Sequence, residues 1–423
     1  MDKIQKNIGA NYVGQAWGLI SVFLFVPFYI KFLGMESYGL VGFYITLMGV
    51  LAFADIGLTA TLTREFARLS TGDYTESDKS DLLRTFELIY SCIALFLAIS
   101  LWFAAPYIAN EWLQSQKISP NQLIFVIQLM GASIALQLPA NLYVGGLMGL
   151  EKQVVANVIQ VLWSMLRGVG SVLILWQISP SITAFIWWQL FSNVIYCLVA
   201  RKIIWREMRE TRAVSRFKWI VLKNNWRFAA GMEGMSFVSI SLLQLDKLIV
   251  SKLLPLEMLG YYMLAATLAS ITGMLARPIV RALFPQFTAL VEEKEHASLV
   301  KLYHSSSEFL SLVTIPAGLT CIFFSRELLF IWTGSSVVAE QSWLVASFLV
   351  SGALMQSLTA VPFYVALAHG ELRLNLKVGL VSIILLVPLL FLLIPGYGLV
   401  GAGLAWFMMN VCIFIPYMYF IHS

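Results

Sequence analysis

Ionisable side chains are sparse in the apolar runs of this 423-residue chain, and the few present are the groups that could do chemistry. Arg167 lies deep in one run. Asp55 stands late in another, and Glu233 stands early in a third, with Asp246 and Lys247 near its far end. Arg277 and Arg281 close a fourth, and their i, i+4 spacing puts both guanidiniums on one helix face. A charge inside a membrane is costly, so such residues face a bundle interior or a wet cavity. Arginine stays charged when desolvated, and its planar fork meets phosphate oxygens in pairs. The chemistry indicated is therefore non-covalent. Arg167, Arg277 and Arg281 would line an electropositive cavity for a phosphate-bearing head group, and Asp55, Glu233 or Asp246 would carry a coupling proton or sodium ion. The structural alternative is an ion pair of Arg167 with Glu233 or Asp55, a contact of Asp55 with Arg64, and Arg277 and Arg281 as simple anchors.

Other chemistries lack their residues. There is no GxxxxGK phosphate loop and no DxD for a sugar-nucleotide metal ion. The four histidines, His296, His304, His369 and His422, form no HExxH motif or His–Cys cluster. Cys92, Cys197, Cys321 and Cys412 show no CxxC spacing and read as small buried hydrophobes. No cofactor or metal is expected.

The elements that hold these charges are membrane helices. Apolar residues make up 59% of the chain and charged ones 12%, against about 25% charged in a soluble domain. A helix needs about 20 mostly apolar residues to span the hydrocarbon core. Twelve segments approach or exceed that: Ala10–Leu33, Gly39–Ala60, Thr85–Ala105, Leu123–Met148, Val154–Leu175, Thr183–Val199, Phe228–Leu248, Met258–Val280, Phe309–Phe324, Trp343–Ala366, Leu376–Ile394 and Tyr397–Phe420. The first is too long for a signal-peptide core and is expected to be retained.

Orientation follows from the gaps. With the N-terminus in the cytoplasm, 22 of the 28 Lys and Arg residues fall in inside gaps. Lys31, Lys117, Lys247, Lys252 and Arg326 fall outside, and the remaining cation, Arg167, lies deep within a segment. This positive-inside bias places both termini in the cytoplasm. The net charge of +5 reflects contact with membrane lipids, not nucleic acid.

The chain divides into an N-terminal six-helix half (1–200), a basic cytoplasmic linker (201–226) and a C-terminal six-helix half (227–423). In the linker, Trp205, Met208, Phe217, Trp219 and Ile220 interleave with basic residues, a mixture that suits a helix lying in the interface. A shift of 221 residues superposes Glu36 on Glu257, Gly39 on Gly260, Thr46 on Thr267, Leu47 on Leu268, Leu62 on Leu283, Phe66 on Phe287 and Leu69 on Leu290. Both copies run from outside to inside, so the repeat is parallel, with a pseudo-two-fold axis along the membrane normal.

Several runs carry a resemblance. FADIGLTATLTREFA (Phe53–Ala67), LDKLIVSK (Leu245–Lys252), EMLGY (Glu257–Tyr261), FPQF (Phe284–Phe287), FIWTG (Phe330–Gly334) and AHG (Ala368–Gly370) together resemble Wzx-type polysaccharide flippases, within the multidrug, oligosaccharidyl-lipid and polysaccharide exporter superfamily. The resemblance implies an all-α integral membrane fold of twelve transmembrane helices, in two pseudo-symmetric six-helix bundles forming a V around a central cavity. The chain ends just after its twelfth segment, which favours the twelve-helix branch of the superfamily. The implied activity is movement of an undecaprenyl-pyrophosphate-linked oligosaccharide, such as an O-antigen repeat unit, from the inner to the outer leaflet of the bacterial inner membrane. Alternating access would be driven by an ion gradient or membrane potential. Arg64 and Lys247 join Arg167, Arg277 and Arg281 as implied head-group contacts. Expected partners are the lipid-linked oligosaccharide, membrane lipids, a polysaccharide polymerase and a chain-length regulator. The competing readings are a cation-coupled multidrug antiporter, which Asp55 and Glu233 would suit, and a polysaccharide polymerase, which the short outer gaps disfavour.

Overall fold

The computed structural model describes residues 14, 17, 18, 20–55, 57–69, 76–208 and 216–422, apart from the side chains at 76, 77, 220–222, 224–236, 372 and 420–422. Within these residues every regular element is a helix. In chain order they are α1 (Val26–Leu33), α2 (Met35–Leu51), α3 (Leu58–Leu69), α4 (Glu76–Tyr107), α5 (Pro120–Gly149), α6 (Gln153–Gln177), α7 (Ile182–Glu207) and α8 (Trp219–Leu253). There follow α9 (Leu256–Glu292), α10 (His296–Phe323), α11 (Ser325–Thr333), α12 (Ser336–Leu358), α13 (Ala360–Ala368) and α14 (Leu372–His422).

Among the described residues nine helices are long and apolar enough to cross a membrane. The last, Arg373–Tyr419, is two of the expected segments joined by a kink at Gly398, whose φ of 57° is open to glycine at little cost. Ile20–Leu33 is the described end of the first expected segment, and α8 contains the seventh. The molecule is thus an all-α, multi-pass membrane protein.

One expected segment is broken. Gly39–Ala60 reads as a single span, but the α-helix ends at Leu51 and a 3₁₀ turn runs from Ala52 to Asp55. Gly57 then takes φ 65° before α3 begins. Asp55 stabilises the restart, because its Oδ1 accepts from the Thr59 hydroxyl (2.6 Å) and the Thr59 backbone N–H (3.3 Å).

The chain forms two compact units. One holds Met1–Ser37 and Tyr44–Phe237; the other holds Tyr38–Phe43 and Val238–Ser423. In the first, α3 is amphipathic. Leu58, Thr61, Leu62, Glu65, Phe66 and Leu69 are buried at helical spacing, while Arg64 and Arg68 face outward. Its buried face lies against α5, where glycines permit close approach. A Cβ on Gly149 would stand 2.5 Å from the Thr63 carbonyl oxygen, and one on Gly145 would meet Thr59 Cγ2 at 2.4 Å. Lipid offers apolar helices no hydrophobic reason to associate, so small-residue contacts of this kind carry much of the packing.

In the second unit α12 packs on α14 in the same manner, with Gly352 against Trp406 and Gly403 against the Val345 carbonyl. The 221-residue repeat is visible inside each unit separately. Leu62 and Phe66 lie in the core of the first, with Leu82, Phe86 and Leu147. Of their counterparts, Phe287 lies in a core of the second, with Ala276, Val280 and Val361, and the partly buried Leu283 packs against it.

Candidate functional site

Arg167 sits about 20 Å along α6 at 1.5 Å per residue, near the middle of a 25-residue helix. Its Nε donates to Gln189 Oε1 on α7. The Tyr44 and Trp163 rings flank the guanidinium, with centroids 5.9 and 5.3 Å from its central carbon. Nη2 reaches only the weak acceptor Met48 Sδ, at 4.0 Å. No carboxylate pairs with Arg167 among the described residues, so the expected alternative of an ion pair with Asp55 is not realised. Glu233 has its backbone in α8, and its side chain lies outside the described residues.

The surroundings of Arg167 are fixed by buried hydrogen bonds between neutral groups. Gln189 Nε2 donates to Ser171 Oγ (2.9 Å), and Ser171 Oγ donates to the Arg167 carbonyl (2.6 Å). Trp163 Nε1 donates to Asn193 Oδ1 (3.1 Å), and Asn193 Nδ2 donates to both the carbonyl and the hydroxyl of Ser133 (2.9 Å each). The Tyr44 hydroxyl shares a 2.9 Å hydrogen bond with Ser133. Trp163 also stacks on Tyr196 at 4.4 Å. The result is a cation in an aromatic and amide frame, with its own charge uncompensated by any described neighbour.

The other expected site residues fall into separate groups. Asp55 receives the Tyr90 hydroxyl as well as Thr59, and so ties the helix break to α4 instead of reaching Arg64. Arg64 is exposed on α3. In the second unit Asp246 is buried, accepts from the Tyr262 hydroxyl at 2.8 Å, and pairs with Lys247 at 3.1 Å. Lys247 also donates to the Leu243 carbonyl at 2.6 Å. This acid and base largely neutralise one another. Arg277 Nε donates to the Gly273 carbonyl at 3.1 Å, and Arg277 and Arg281 are both exposed along α9. Arg277 stands about 31 Å into that helix, roughly a full hydrocarbon thickness, as an interfacial anchor does.

Three features escaped the sequence reading. Gln189 and Asn193 form a carboxamide pair at i, i+4 inside the apolar segment Thr183–Val199, and that spacing was the available signal. Glu87 lies just inside the segment Thr85–Ala105. It is 4% exposed and accepts from the Tyr143 hydroxyl (2.7 Å), Arg201 Nε (2.5 Å) and Arg84 Nη1 (2.7 Å), so it joins α4, α5 and α7. Asp81 accepts from the Arg216 backbone N–H (2.5 Å) and pairs with Lys218 (2.7 Å), docking the end of the basic linker on α4. The hydrogen bond and charge of Asp81 hold the Lys218 ammonium above the ordinary lysine range. Arg201–Glu207 of that linker is the helical end of α7. Of the residues named for an interfacial helix, Trp205 and Met208 pack into the core of the first unit and Phe217 and Trp219 are exposed, while the side chain of Ile220 and residues 209–215 lie outside the described residues.

Residues 30–341 match the model of a family described as polysaccharide biosynthesis protein. A Shigella flexneri protein named as an O-antigen transporter is 23% identical over 404 residues, covering 95% of this chain and 94% of its own. The lipid II flippase MurJ, in an inward closed conformation, superposes with a TM-score of 0.75 at 14% identity, over 99% of this chain and 88% of that one. An inward-facing multidrug transporter of the MATE family, in the MOP superfamily, gives a TM-score of 0.73 at 15% identity, over 96% and 94%. The likenesses to these two solved structures show a shared fold.

Proposed function

The chain belongs to the polysaccharide biosynthesis protein family, and from that premise we propose that it flips a lipid-linked oligosaccharide from the inner to the outer leaflet of the bacterial inner membrane. Its substrate is an undecaprenyl-pyrophosphate-linked repeat unit such as that of O-antigen. Both termini face the cytoplasm, in keeping with the positive-inside bias. A polymerase and a chain-length regulator act on the product after it reaches the outer face.

The observation that carries this reading is Arg167, a mid-membrane guanidinium held by a neutral amide. A buried charge is costly when it stands alone. It becomes favourable when the ligand supplies the opposite charge, and a pyrophosphate does so with oxygens spaced for the arginine fork. The Nε–H is occupied by Gln189, which leaves the Nη1 and Nη2 edge to meet the head group. The flanking Tyr44 and Trp163 limit the guanidinium to one plane. Arg64 on α3, and Arg277 and Arg281 at the interfacial end of α9, are further cations that would attract an anionic head group, and Lys247 contributes less because Asp246 pairs with it. Asp55 and Glu233 are the candidate sites for a coupling ion.

A cation-coupled multidrug antiporter is the second reading, supported by the likeness to the MATE fold. It sits poorly with an arginine that no described acid pairs, because such a cation repels organic cations. Reconstituted protein separates the two. The flippase reading expects a fluorescent lipid-linked sugar to become accessible in the opposite leaflet, with no efflux of cationic dyes. Dye efflux without sugar-lipid movement would reverse the choice.

A further inference from the structure

Gln189 is 1% exposed and lies within the apolar part of α7, where an amide is a poor choice unless its hydrogen bonds are needed. Its orientation is determined by its neighbours. The Arg167 Nε–H can only donate, so the amide oxygen must face it. Ser171 spends its proton on the Arg167 carbonyl, so it accepts from the amide nitrogen. Arg167, Ser171 and Gln189 therefore close a ring of hydrogen bonds that holds the side chain of Arg167 to its own helix turn and to α7.

A glutamate at this position would satisfy the same arginine donor and form a stronger, charge-assisted bond. It would also cancel the charge, since opposite charges in contact away from water attract strongly. The described groups in contact with Arg167 — Tyr44, Met48, Trp163, Ser171 and Gln189 — and the nearby Tyr29 carry no charge at all. The arginine is thus restrained while no described neighbour offsets its charge.

We infer that Gln189 is a positioning residue that sets substrate specificity: it orients Arg167 through a neutral amide and so reserves the guanidinium charge for an anionic head group. The inference rests on the reading of Arg167 as the head-group contact. A merely structural link between α6 and α7 would be kept by glutamate, which pairs with Arg167 and accepts from Ser171 once that hydroxyl turns from the Arg167 carbonyl, and this difference makes the test.

The experiment measures binding of undecaprenyl pyrophosphate and of uncharged undecaprenol to full-length protein in nanodiscs. Wild type, Gln189→Glu and Gln189→Met are compared at equal folded concentration. Wild type is expected to prefer the pyrophosphate. Gln189→Glu is expected to lose roughly tenfold or more of that preference, with undecaprenol binding unchanged and thermal stability at or above wild type. Gln189→Met keeps the charge but loses the hold, and is expected to fall in between. If Gln189→Glu keeps the wild-type preference, the inference is overturned while the flippase reading stands. If wild type itself shows no preference for the pyrophosphate, both fall. Should Gln189→Glu not fold, a Gln189→Met protein with wild-type preference overturns the inference.

Discussion

Gly39 packs against Gly260, its own counterpart in the 221-residue repeat. A Cβ on Gly39 would stand 3.1 Å from the Gly260 nitrogen and 1.9 Å from the Leu256 carbonyl oxygen. Gly42 likewise meets its counterpart Met263, with 2.5 Å between a notional Cβ and Met263 Cγ. Tyr38–Phe43 belongs to the second compact unit, so this contact lies wholly within it. The contact is backbone against backbone, and flexible side chains cannot relieve an intrusion.

Gly39→Ala is therefore expected to destabilise the protein by about 1–3 kcal/mol, the usual cost of overpacking a tight contact. Gly39→Leu is expected to abolish transport. Thermal unfolding of purified protein in detergent and complementation of a flippase-null strain measure the two effects. Wild-type behaviour of Gly39→Leu would show that this close contact is not required.

Arg167→Ala is expected to abolish complementation, while Arg167→Lys retains part of it. Lysine keeps the charge but loses the fork and the stacking between Tyr44 and Trp163. Membrane levels of each variant must be measured alongside. A fully active alanine variant at normal levels would remove Arg167 from the substrate path.

Asp55→Asn is expected to keep the helix restart, because an amide oxygen can still accept from Thr59 and Tyr90. It removes the charge that a coupling proton or sodium ion would neutralise. Proteoliposomes with an imposed pH or sodium gradient are expected to show transport that no longer responds to it. A wild-type response in both Asp55→Asn and Glu233→Gln would exclude the pair as coupling sites.

Glu87→Ala removes the shared acceptor of Tyr143, Arg84 and Arg201. Arg84 and Arg201 are partly solvated and recover some of the loss in water. The buried Tyr143 hydroxyl does not. The expected cost is about 1–3 kcal/mol, read as a lowered unfolding temperature with substrate selectivity unchanged. An altered pyrophosphate preference would instead place Glu87 in the substrate path.

Much of this architecture was legible in the chain itself. Hydropathy is a local property, so the length and composition of each run marked the membrane helices. The repeat was readable because Phe66 and Phe287, or Gly39 and Gly260, answer the same packing demand twice. The depth of Arg167 followed from counting residues along a helix. The break at Asp55 was less visible, because Ala52–Ala60 is apolar enough to continue a span. It took the φ of Gly57 and the bonds from Asp55 to Thr59 to interrupt it.

The partners of each charge were decided by tertiary structure alone. Asp55 and Glu233 were as plausible for Arg167 as any other group, yet its contacts are Gln189, 22 positions on, and Met48, 119 positions back. Arg201 meets Glu87 across 114 positions. A helix sequence states which residues share a face, but the rotation of that face toward its neighbours is set by packing, through contacts such as Gly149 on Thr63. The sequence by itself determined that a cation lies at mid-membrane. Only the packing of α6 on α7 decided that a neutral amide, and no described acid, would hold it.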